Sequence, residues 1–600
     1  MSKQFALFKT RRFAPLFGTQ FLGAFNDNLY KNALVVLLTF QAAKWTSMKP
    51  EILANLAAGI FILPFFLFSA TAGQLADKYD KAWLARFSKV LEIVIMLLAA
   101  AGFCFVNLTL LLLALFLLGA QSTLFGPVKY AILPQHLHED ELVGGNALVE
   151  AGTFVAILVG TLAGGLLAGS VGHPAWIAVG GMVVAVLGYL ASRGIPVAPA
   201  PDPGLRVNPN PLTETWRCIG YTRQNRTVFL SILGISWFWL YGALFLAQFP
   251  AYARQVLGGT ESSVTLLLAV FTVGIGLGSL LCERLSGKHV EMGLVPFGSI
   301  GLSIFAVDLA LASPLMLPPG APLGLSALLA MPAIWRVLLD LLLLGVFGGF
   351  FIVPLYALMQ VYSAEATRAR TIAANNILNA LFMVIGALAA AGILALGASI
   401  ATLFLIAAIA NALVALYIYG LLPEFLQRFI VWMIMHTATK LETEGVEQNV
   451  PEQGPAILLF DQATPARILA MMAACRRPAR FVVAAELLKK PLLGFVLRQS
   501  RAIVLPSLQD EVLADKAREE IVAALKAGGL LGMTATALAE SGLPQIPGLA
   551  LVPLVRLELR EAESGGVLAG LFGALFQSRF PAGISLGASS LPGPLSSFQE

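Results

Sequence analysis

Five polar side chains lie close together in the middle of the first long apolar stretch of the chain, within residues 20–34, QFLGAFNDNLYKNAL. They are Asn26, Asp27, Asn28, Lys31 and Asn32. A carboxylate at the centre of a membrane helix costs about 2.5–3.5 kcal/mol on insertion scales, so it needs a partner or a water-filled cavity. Two explanations are open. In the first, Asp27 and Lys31, which are four residues apart on one helical face, form an internal ion pair. In the second, which we favour, the five polar residues form a site for a polar ligand.

Two further ionisable side chains lie in later apolar stretches. Lys129 precedes Tyr130 in QSTLFGPVKYAILPQ, and Glu150 follows Asn146 in GGNALVEA. Lys129 is about four residues from the apparent end of its stretch, so its amine either reaches the membrane surface or takes part in a ligand site.

The composition excludes a soluble protein. The chain has 600 residues, 58% hydrophobic and 12% charged, with a mean hydropathy of +0.81. Apolar runs of about 20 residues, the length that crosses a bilayer as a helix, recur along it. The basic first residues resemble a tail before a retained span, not a signal peptide. We expect no metal, cofactor or nucleic-acid partner, because the four cysteines are scattered and no nucleotide-binding fingerprint or basic patch occurs.

The apolar runs divide into six plus six, which predicts an all-α membrane protein with two six-helix bundles, residues 1–195 and 227–422. A proline-rich linker, residues 196–226, separates them, and its LTETWRCIGY segment predicts a short amphipathic helix. Residues 314–331 are predicted to lie outside the membrane or in its interface. The predicted spans are 14–41, 52–76, 85–105, 108–133, 142–170, 174–192, 227–251, 262–283, 290–312, 334–361, 370–396 and 399–421.

The distribution of Lys and Arg predicts the orientation. Basic residues concentrate in the N-terminal tail, in the central linker and in the loop after the second span, to which we assign Lys78, Lys81, Arg86 and Lys89. The opposite loops carry few. The positive-inside rule therefore places both termini in the cytoplasm.

The two halves repeat each other. Residues 23–30 align with 234–241, and residues 144–151 align with 373–380. Such repeats are typical of transporters whose ligand site lies between two bundles. The alignment is asymmetric, because Asp27 and Asn28 of the first half stand opposite Phe238 and Trp239 of the second. We predict a polar wall and an aromatic wall.

The composition changes after residue 423. Residues 423–440 predict an interfacial connector, and residues 441–600 predict an α/β domain with strands near 456–460, 479–483, 502–505 and 549–559. The tail from Gly583 is rich in Gly, Ser and Pro and is expected to be loosely ordered.

A candidate gating motif, GQLADKYDK, follows the second span at residues 73–81. It resembles the signature of the major facilitator superfamily, with Asp80 where that family has glycine. Gly73 permits close helix approach, and the Asp77 carboxylate, beside Lys78, suits a helix N-terminus or a base such as Arg86. The resemblance implies a latch between the two halves.

The segments FNDN, FGPVKYAIL and NALVEAGT, in the first, fourth and fifth spans, resemble the lysophospholipid-transporter branch of that superfamily. This resemblance, over residues 10–425, implies transport of lysophospholipids such as lysophosphatidylethanolamine from the outer to the inner leaflet of the bacterial inner membrane. It also implies that Asp27 and Lys129 form a charged pair governing substrate access and that Glu150 is a third site residue. Asn28, Tyr130, Asn146, Phe238 and Trp239 complete the predicted substrate site.

The C-terminal domain resembles glycerophospholipid acyltransferases, which use a histidine and an aspartate in the motif NHxxxxD. Gln462 stands in place of the histidine and Arg467 in place of the aspartate, and Thr534 and Thr536 fall within the segment that replaces the FPEG element. An amide takes up no proton at neutral pH. We therefore expect a catalytically inactive domain that docks lipid or a separate acyltransferase.

The sequence thus predicts a transporter rather than an enzyme, with membrane lipids around it and lysophospholipid as substrate. Two alternatives stay open: a proton-driven exporter of drugs or siderophores on the same fold, and a bifunctional flippase–acyltransferase.

Overall fold

The structure is a computed structural model with two compact units, Met1–Ile418 and Tyr419–Glu600. The residues that it describes are 3–40, 50–170, 175–286, 291–313, 323–421, 423–437, 440–451, 454–475, 479–490, 492–505, 511–541, 552–561 and 583–591.

The first unit is helical. Its helices are α1 (Ala14–Phe40), α2 (Pro50–Lys78), α3 (Lys81–Cys104), α4 (Leu108–His136), α5 (Glu139–Ser170), α6 (Ala175–Ser192), α7 (Pro211–Arg223), α8 (Arg226–Gln255), α9 (Glu261–Leu285), α10 (Leu294–Ala312), α11 (Leu325–Leu329), α12 (Pro332–Tyr362), α13 (Arg368–Ala395) and α14 (Ile400–Leu421). Short 3-10 helices occupy Lys3–Lys9 and Glu365–Thr367.

Eleven helices of the described chain are long and apolar enough to cross a membrane. The helix α1, although 27 residues long, is not among them, because its five central polar residues lower its hydropathy. The described parts of the predicted spans correspond to long helices, and the ends at 41, 174 and 290 lie outside the described residues.

Glycines let the helices around α1 approach closely. A Cβ atom on Gly160 of α5 would lie 2.4 Å from the carbonyl oxygen of Phe25, and one on Gly164 would lie 2.4 Å from that of Leu29. Small residues at such contacts allow backbone-to-backbone packing in membrane helices. The polar centre of α1 is thereby held against the rest of its bundle.

The linker contains the predicted short helix, α7. Its buried face carries Glu214, Cys218 and Thr222, whereas Leu212 and Trp216 are exposed. Cys218 packs against Ala70 and other residues of α2 and α13. We call the end of the helical unit at which the linker lies the linker end.

The assignment of four basic residues to the loop after the second span is wrong, because Lys78 is the last residue of α2 and Lys81, Arg86 and Lys89 lie in α3. Helix α3 begins at Lys81, and the side chains of Lys81 and Lys89 are buried. Both amines have protein partners, so neither is available to interact with the lipid surface. Of residues 314–331, positions 314–322 lie outside the described residues, and α11 occupies part of the remainder.

The second unit contains a seven-stranded sheet in the order β1-β7-β6-β2-β5-β3-β4. Its strands are β1 (Lys440–Glu444), β2 (Ala456–Phe460), β3 (Ala479–Ala484), β4 (Ile503–Leu505), β5 (Leu530–Thr534), β6 (Leu554–Glu561) and β7 (Gly583–Leu591). Its helices are α15 (Pro423–Thr437), α16 (Val446–Asn449), α17 (Pro465–Ala474), α18 (Ala485–Lys489), α19 (Leu493–Gln499), α20 (Glu511–Lys526) and α21 (Ala535–Glu540).

The sheet has a separate apolar core on each face. Leu458 and Phe460 of β2 pack in a core with α15, α17 and α19, whereas Ile457 and Leu459 pack in a core with α20 and α21. Alternate residues of a strand face opposite sides of a sheet, so the second unit is a helix–sheet–helix sandwich, and α15, the predicted connector, is part of it.

The prediction of a loosely ordered tail from Gly583 is wrong for residues 583–591. They form β7, which pairs antiparallel with β6 and parallel with β1. Two neighbouring strands supply backbone partners on both edges, which outweighs the poor strand propensity of Gly and Ser. Residues 592–600 lie outside the described residues.

Candidate functional site

A cavity of about 540 Å³ lies between the two bundles. The first bundle contributes its ionisable side chains, Asp27, Lys31, Lys89 and Lys129, whereas the second contributes uncharged ones. The lining from the second bundle is Trp239, Tyr356, Asn376, Asn379, Ala380 and Met383. The predicted contrast in charge is therefore present in the structure, but the aromatic lining is shared, because Phe61, Phe65, Phe125 and Tyr130 of the first bundle also line the cavity.

Asp27 keeps one carboxylate oxygen without a described partner. The hydroxyl of Ser122 donates a hydrogen bond of 2.5 Å to Asp27 Oδ2, while Asp27 Oδ1 is buried and unbonded. Lys31 donates instead to the side-chain oxygen of Asn28, at 3.0 Å, and lies over the ring of Phe61. The structure does not form the internal Asp27–Lys31 ion pair, so Asp27 Oδ1 has no partner among the described residues.

Lys129 lies well inside α4, which continues to His136. Its ammonium is 4.6 Å from the centre of the Tyr130 ring and forms no ion pair with any described carboxylate within 4.0 Å. Because Lys129 lines the cavity, its amine does not extend along the helix to the membrane surface. The cavity thus has a free ammonium and a free carboxylate oxygen on the same wall.

An aromatic floor closes the cavity toward the linker end. The rings of Tyr130 and Tyr356 stack at 4.5 Å across the two bundles, and Trp239 Nε1 donates to the Tyr356 hydroxyl at 3.2 Å. Trp239 in turn stacks on Phe154. The predicted residue Phe238 packs edge-on against Trp239 and is buried behind it.

Two of the predicted site residues lie below this floor and do not line the cavity. Glu150 is buried and accepts a hydrogen bond from the Tyr130 hydroxyl. Asn146 exchanges two hydrogen bonds, of 2.7 and 3.0 Å, with Gln360 of the second bundle. Asn146 therefore contacts the second bundle, whereas Glu150 holds the Tyr130 hydroxyl within the first bundle.

A latch formed by Gly73, Asp77 and Arg370 joins the bundles at the linker end. Arg370 Nε donates to Asp77 Oδ2 at 2.8 Å, and the backbone N–H groups of Ala369 and Arg370 donate to the same carboxylate at 3.1 and 3.3 Å. A Cβ on Gly73 would lie 2.7 Å from the Cβ of Ala373. Asp77 therefore binds the N-terminus of α13, where helices favour anions.

The partner of Asp77 differs from the one suggested by the sequence. Arg86 does not pair with Asp77, and its Nε has no described partner. Lys78 lies beside the ring of Tyr79. Arg370 is nearly three hundred residues away, so sequence spacing gave no indication of it.

The linker covers the latch. The backbone N–H of Asp202 donates to the carbonyl of Asp77, and Arg370 Nη1 donates to the Tyr221 hydroxyl of α7 at 3.3 Å. Asp80, the departure from the signature, caps α3 through Trp83 N and also accepts from Ala198 N. The carboxylate of Asp80 thus connects the linker to α3. A glycine at this position has no side chain to accept these hydrogen bonds.

Sequence reasoning missed a group of buried polar residues behind the cavity wall. Lys89 and Glu92 of α3 form an ion pair of 2.6 Å with both side chains fully buried. Gln121 and Ser122 of α4 connect this pair to Asp27. The available signal was the spacing of Lys89 and Glu92, which are three residues apart at the start of an apolar run.

In the C-terminal unit, the residues that the sequence analysis compared with acyltransferase motifs lie at one edge of the sheet. Phe460 of β2 pairs with Thr534 of β5, so Gln462 and Thr536 follow the carboxyl ends of neighbouring parallel strands. Gln462 is exposed, and the hydroxyls of Thr534 and Thr536 are 2.9 Å apart. Arg467 lies in the first turn of α17. No histidine occurs in the chain after His436.

No group of three His, Cys, Asp or Glu side chains with the geometry of a metal site occurs within the described residues. The backbone N–H of His138 donates to Glu141, which also pairs with Arg12. Arg12 precedes α1, and this contact raises the pKa of its guanidinium. Glu141, in the first turn of α5, therefore fastens the N-terminal tail to that helix.

The family model of the Major Facilitator Superfamily matches residues 16–341. The chain is 32% identical over 352 residues to the lysophospholipid transporter LplT of Klebsiella pneumoniae, covering 57% of this chain and 78% of that protein. It is 30% identical over 367 residues to LplT of Escherichia coli O1:K1, covering 60% and 82%.

Solved structures with a similar fold include the transporter FucP in an outward conformation, with a TM-score of 0.53 and 14% identity over 68% of this chain and 97% of that one. The human organic anion transporter MFSD10 has a TM-score of 0.50 and 14% identity, over 70% and 99%. At such identities these structures support the fold alone.

Proposed function

The chain belongs to the major facilitator superfamily and to its lysophospholipid-transporter branch, and we propose that it moves lysophospholipids across the bacterial inner membrane. The observation that carries this proposal is the cavity with an unpaired ammonium on Lys129, one unpaired carboxylate oxygen on Asp27, an uncharged wall from the second bundle and aromatic side chains from both bundles. The names of the curated relatives support the same substrate class. We propose the direction implied by the resemblance, from the outer to the inner leaflet.

The cavity chemistry matches each part of lysophosphatidylethanolamine. Its phosphate can bind Lys129, with Lys31 nearby, and its ammonium can bind Asp27 Oδ1. Charge-assisted hydrogen bonds of this kind are about twice as strong as neutral ones. Phe61 and Phe65 of α2, which also line the cavity, offer apolar surface to the single acyl chain.

The latch supports alternating access. The bundles touch at the linker end through Asp77–Arg370 and Asn146–Gln360, and the cavity lies beyond these contacts. We propose that α1 is the first of twelve spans and that the linker end, both termini and the C-terminal unit face the cytoplasm. The structure then corresponds to a state closed toward the cytoplasm, which must open there to release the substrate.

We propose that residues 441–600 are an acyltransferase-like domain without acyltransferase activity. General-base catalysis is worth about 10²–10⁴-fold, and the exposed amide of Gln462 cannot supply it. The retained sheet and the exposed strand ends suit docking of lipid or of a separate acyltransferase. An exporter of drugs or siderophores has no observation in its favour, because the cavity combines charges of both signs with an apolar surface.

Transport of labelled lysophosphatidylethanolamine into proteoliposomes tests the proposal. The wild-type protein is expected to move the lipid faster than protein-free vesicles, and Asp27→Asn should abolish this movement. Glu261→Gln, at an exposed glutamate at the start of α9, is the matched control and should transport normally. Wild-type transport no faster than that of protein-free vesicles would refute the proposed substrate.

A further inference from the structure

A fully buried ion pair lies at the wall of the substrate cavity, and its lysine is one of the lining residues. Lys89 Nζ and Glu92 Oε2 of α3 are 2.6 Å apart, and neither side chain is exposed. Charges within membrane helices are costly and usually mark function, and a buried pair is weak evidence for stability alone. The substrate chemistry described above does not use this pair.

Glu92 connects three helices of the first bundle. Besides Lys89, its carboxylate accepts a hydrogen bond of 2.7 Å from the side-chain amide of Asn26 in α1. Gln121 Nε2 of α4 is 3.5 Å from the carboxylate and donates at 2.7 Å to the hydroxyl of Ser88. A single anion therefore sets the positions of side chains on α1 and α4.

Asn26 and Gln121 are adjacent in the chain to Asp27 and to its partner Ser122, respectively. Asn26 precedes Asp27 in the chain, and Ser122, which follows Gln121, holds Asp27 Oδ2 at 2.5 Å. The Ser122 hydroxyl is also 3.3 Å from Gln121 Oε1. Glu92 thus acts on Asp27 along two paths, one through α1 and one through α4.

Lys89 is a cation that would otherwise compete with the substrate. It lines the same cavity as Asp27. A Cβ on Gly23 would lie 2.5 Å from Lys89 Nζ, and one on Gly188 would lie 3.3 Å from Lys89 Cδ. These glycines leave the space that the lysine occupies, and Glu92 neutralises the ammonium there.

We propose that Glu92 is a positioning residue for substrate recognition. It neutralises Lys89 and anchors Asn26 and Gln121, and it thereby keeps one oxygen of Asp27 free for the ammonium of the lipid headgroup. The proposal rests on the proposed function. It predicts a selective defect, because only substrates with an ammonium need that oxygen.

The test compares two lysophospholipids in proteoliposomes containing the full chain. Lysophosphatidylethanolamine has an ammonium, and lysophosphatidylglycerol has none. Glu92→Gln keeps the shape and a hydrogen-bond acceptor but leaves Lys89 to take Asp27 as its counter-charge. We expect an increase of about tenfold in KM for the ethanolamine lipid, the size of one lost charged hydrogen bond, and a much smaller change for the glycerol lipid.

A double variant separates positioning from folding. Lys89→Met with Glu92→Gln removes the competing cation, so transport of the ethanolamine lipid should return close to that of wild type. The inference is overturned if Glu92→Gln leaves this KM unchanged, if both lipids lose transport equally, or if the double variant stays as impaired as the single one. If the wild-type protein transports neither lipid, the proposed function is refuted instead.

Discussion

Removal of the charge on Asp77 should open the latch. Asp77→Asn keeps the size of the side chain but replaces one of two acceptor oxygens by a donor amide. The carboxylate accepts from Arg370 Nε and from two backbone N–H groups, so the variant loses the ion pair and at least one of these bonds. The contact between the two bundles at the linker end is therefore weaker in this variant.

The expected size follows from the contacts. Hydrogen bonds to charged groups contribute about 1.5–3 kcal/mol each, and breaking a buried pair from one side costs about 3–5 kcal/mol. Part of this cost is the same in the closed and open states of the latch and cancels, since Arg370 keeps its contacts to the Tyr221 hydroxyl and to the carbonyl of Ala366. A shift of about 2 kcal/mol in the equilibrium between the closed and open latch is therefore expected, which is roughly 30-fold.

The protein contains its own reporter of this change. Cys218 of α7 is fully buried against Ala70, Ala374 and Ile377, between the helices that the latch joins. Burial raises the pKa of its thiol to about 12, so the thiol is unreactive while the latch is closed. The rate of maleimide labelling of Cys218, in a variant with the exposed Cys104 replaced by serine, measures the open population.

A second acidic residue near Arg370, Asp202, provides the matched control. Asp202 is partly exposed and 3.9 Å from Arg370, so Asp202→Asn removes a weak pair of about 0–1 kcal/mol and should change labelling by only a few fold. The latch assignment is wrong if folded Asp77→Asn protein labels at the wild-type rate. It is equally wrong if both variants accelerate labelling to the same extent.

Three further predictions concern the cavity, the helix contact and the C-terminal unit. Asp27→Asn and Lys129→Ala should each abolish lysophospholipid transport without loss of membrane insertion, and near-normal transport by either would exclude that residue from the site. Gly73→Ala should accelerate the thiol labelling described above, because its Cβ would lie 2.7 Å from the nearest Cβ of α13, and unchanged labelling would contradict the close contact. The wild-type chain should transfer no acyl group from acyl donors to lysophospholipid, since Gln462 supplies no base. A variant with both Gln462→His and Arg467→Asp is assayed beside it, and wild-type turnover like that of an active acyltransferase would refute the claim.

The sequence alone determined the class of the protein and most of its elements. Repeated apolar runs predicted the long helices, because crossing hydrocarbon requires a minimum length of apolar helix. The contrast between Asp27 and its aligned residue Phe238 predicted that the charges of the site come from the first bundle, although Phe238 itself does not line the cavity. These features are local, and local composition is enough to show them.

Only the tertiary structure decided which polar groups are partners. The spacing of Asp27 and Lys31 is compatible with an ion pair, yet Ser122 from another helix holds the carboxylate and Asn28 holds the amine. Asp77 likewise binds Arg370 of the other bundle and not the nearer Arg86. Helical spacing gives the neighbours on one helix, whereas a buried side chain bonds to whichever helix packs against it.

Lys89 is the clearest example of a side chain whose partners the sequence does not reveal. In the sequence it is one more basic residue near the beginning of a span, and the positive-inside rule assigned it to a loop. In the structure, Gly23 and Gly188 on two other helices leave room for it, and Glu92 neutralises it. The burial of a charge depends on the space and counter-charge that distant residues provide, and those are properties of the packed helices, not of the sequence around the charge.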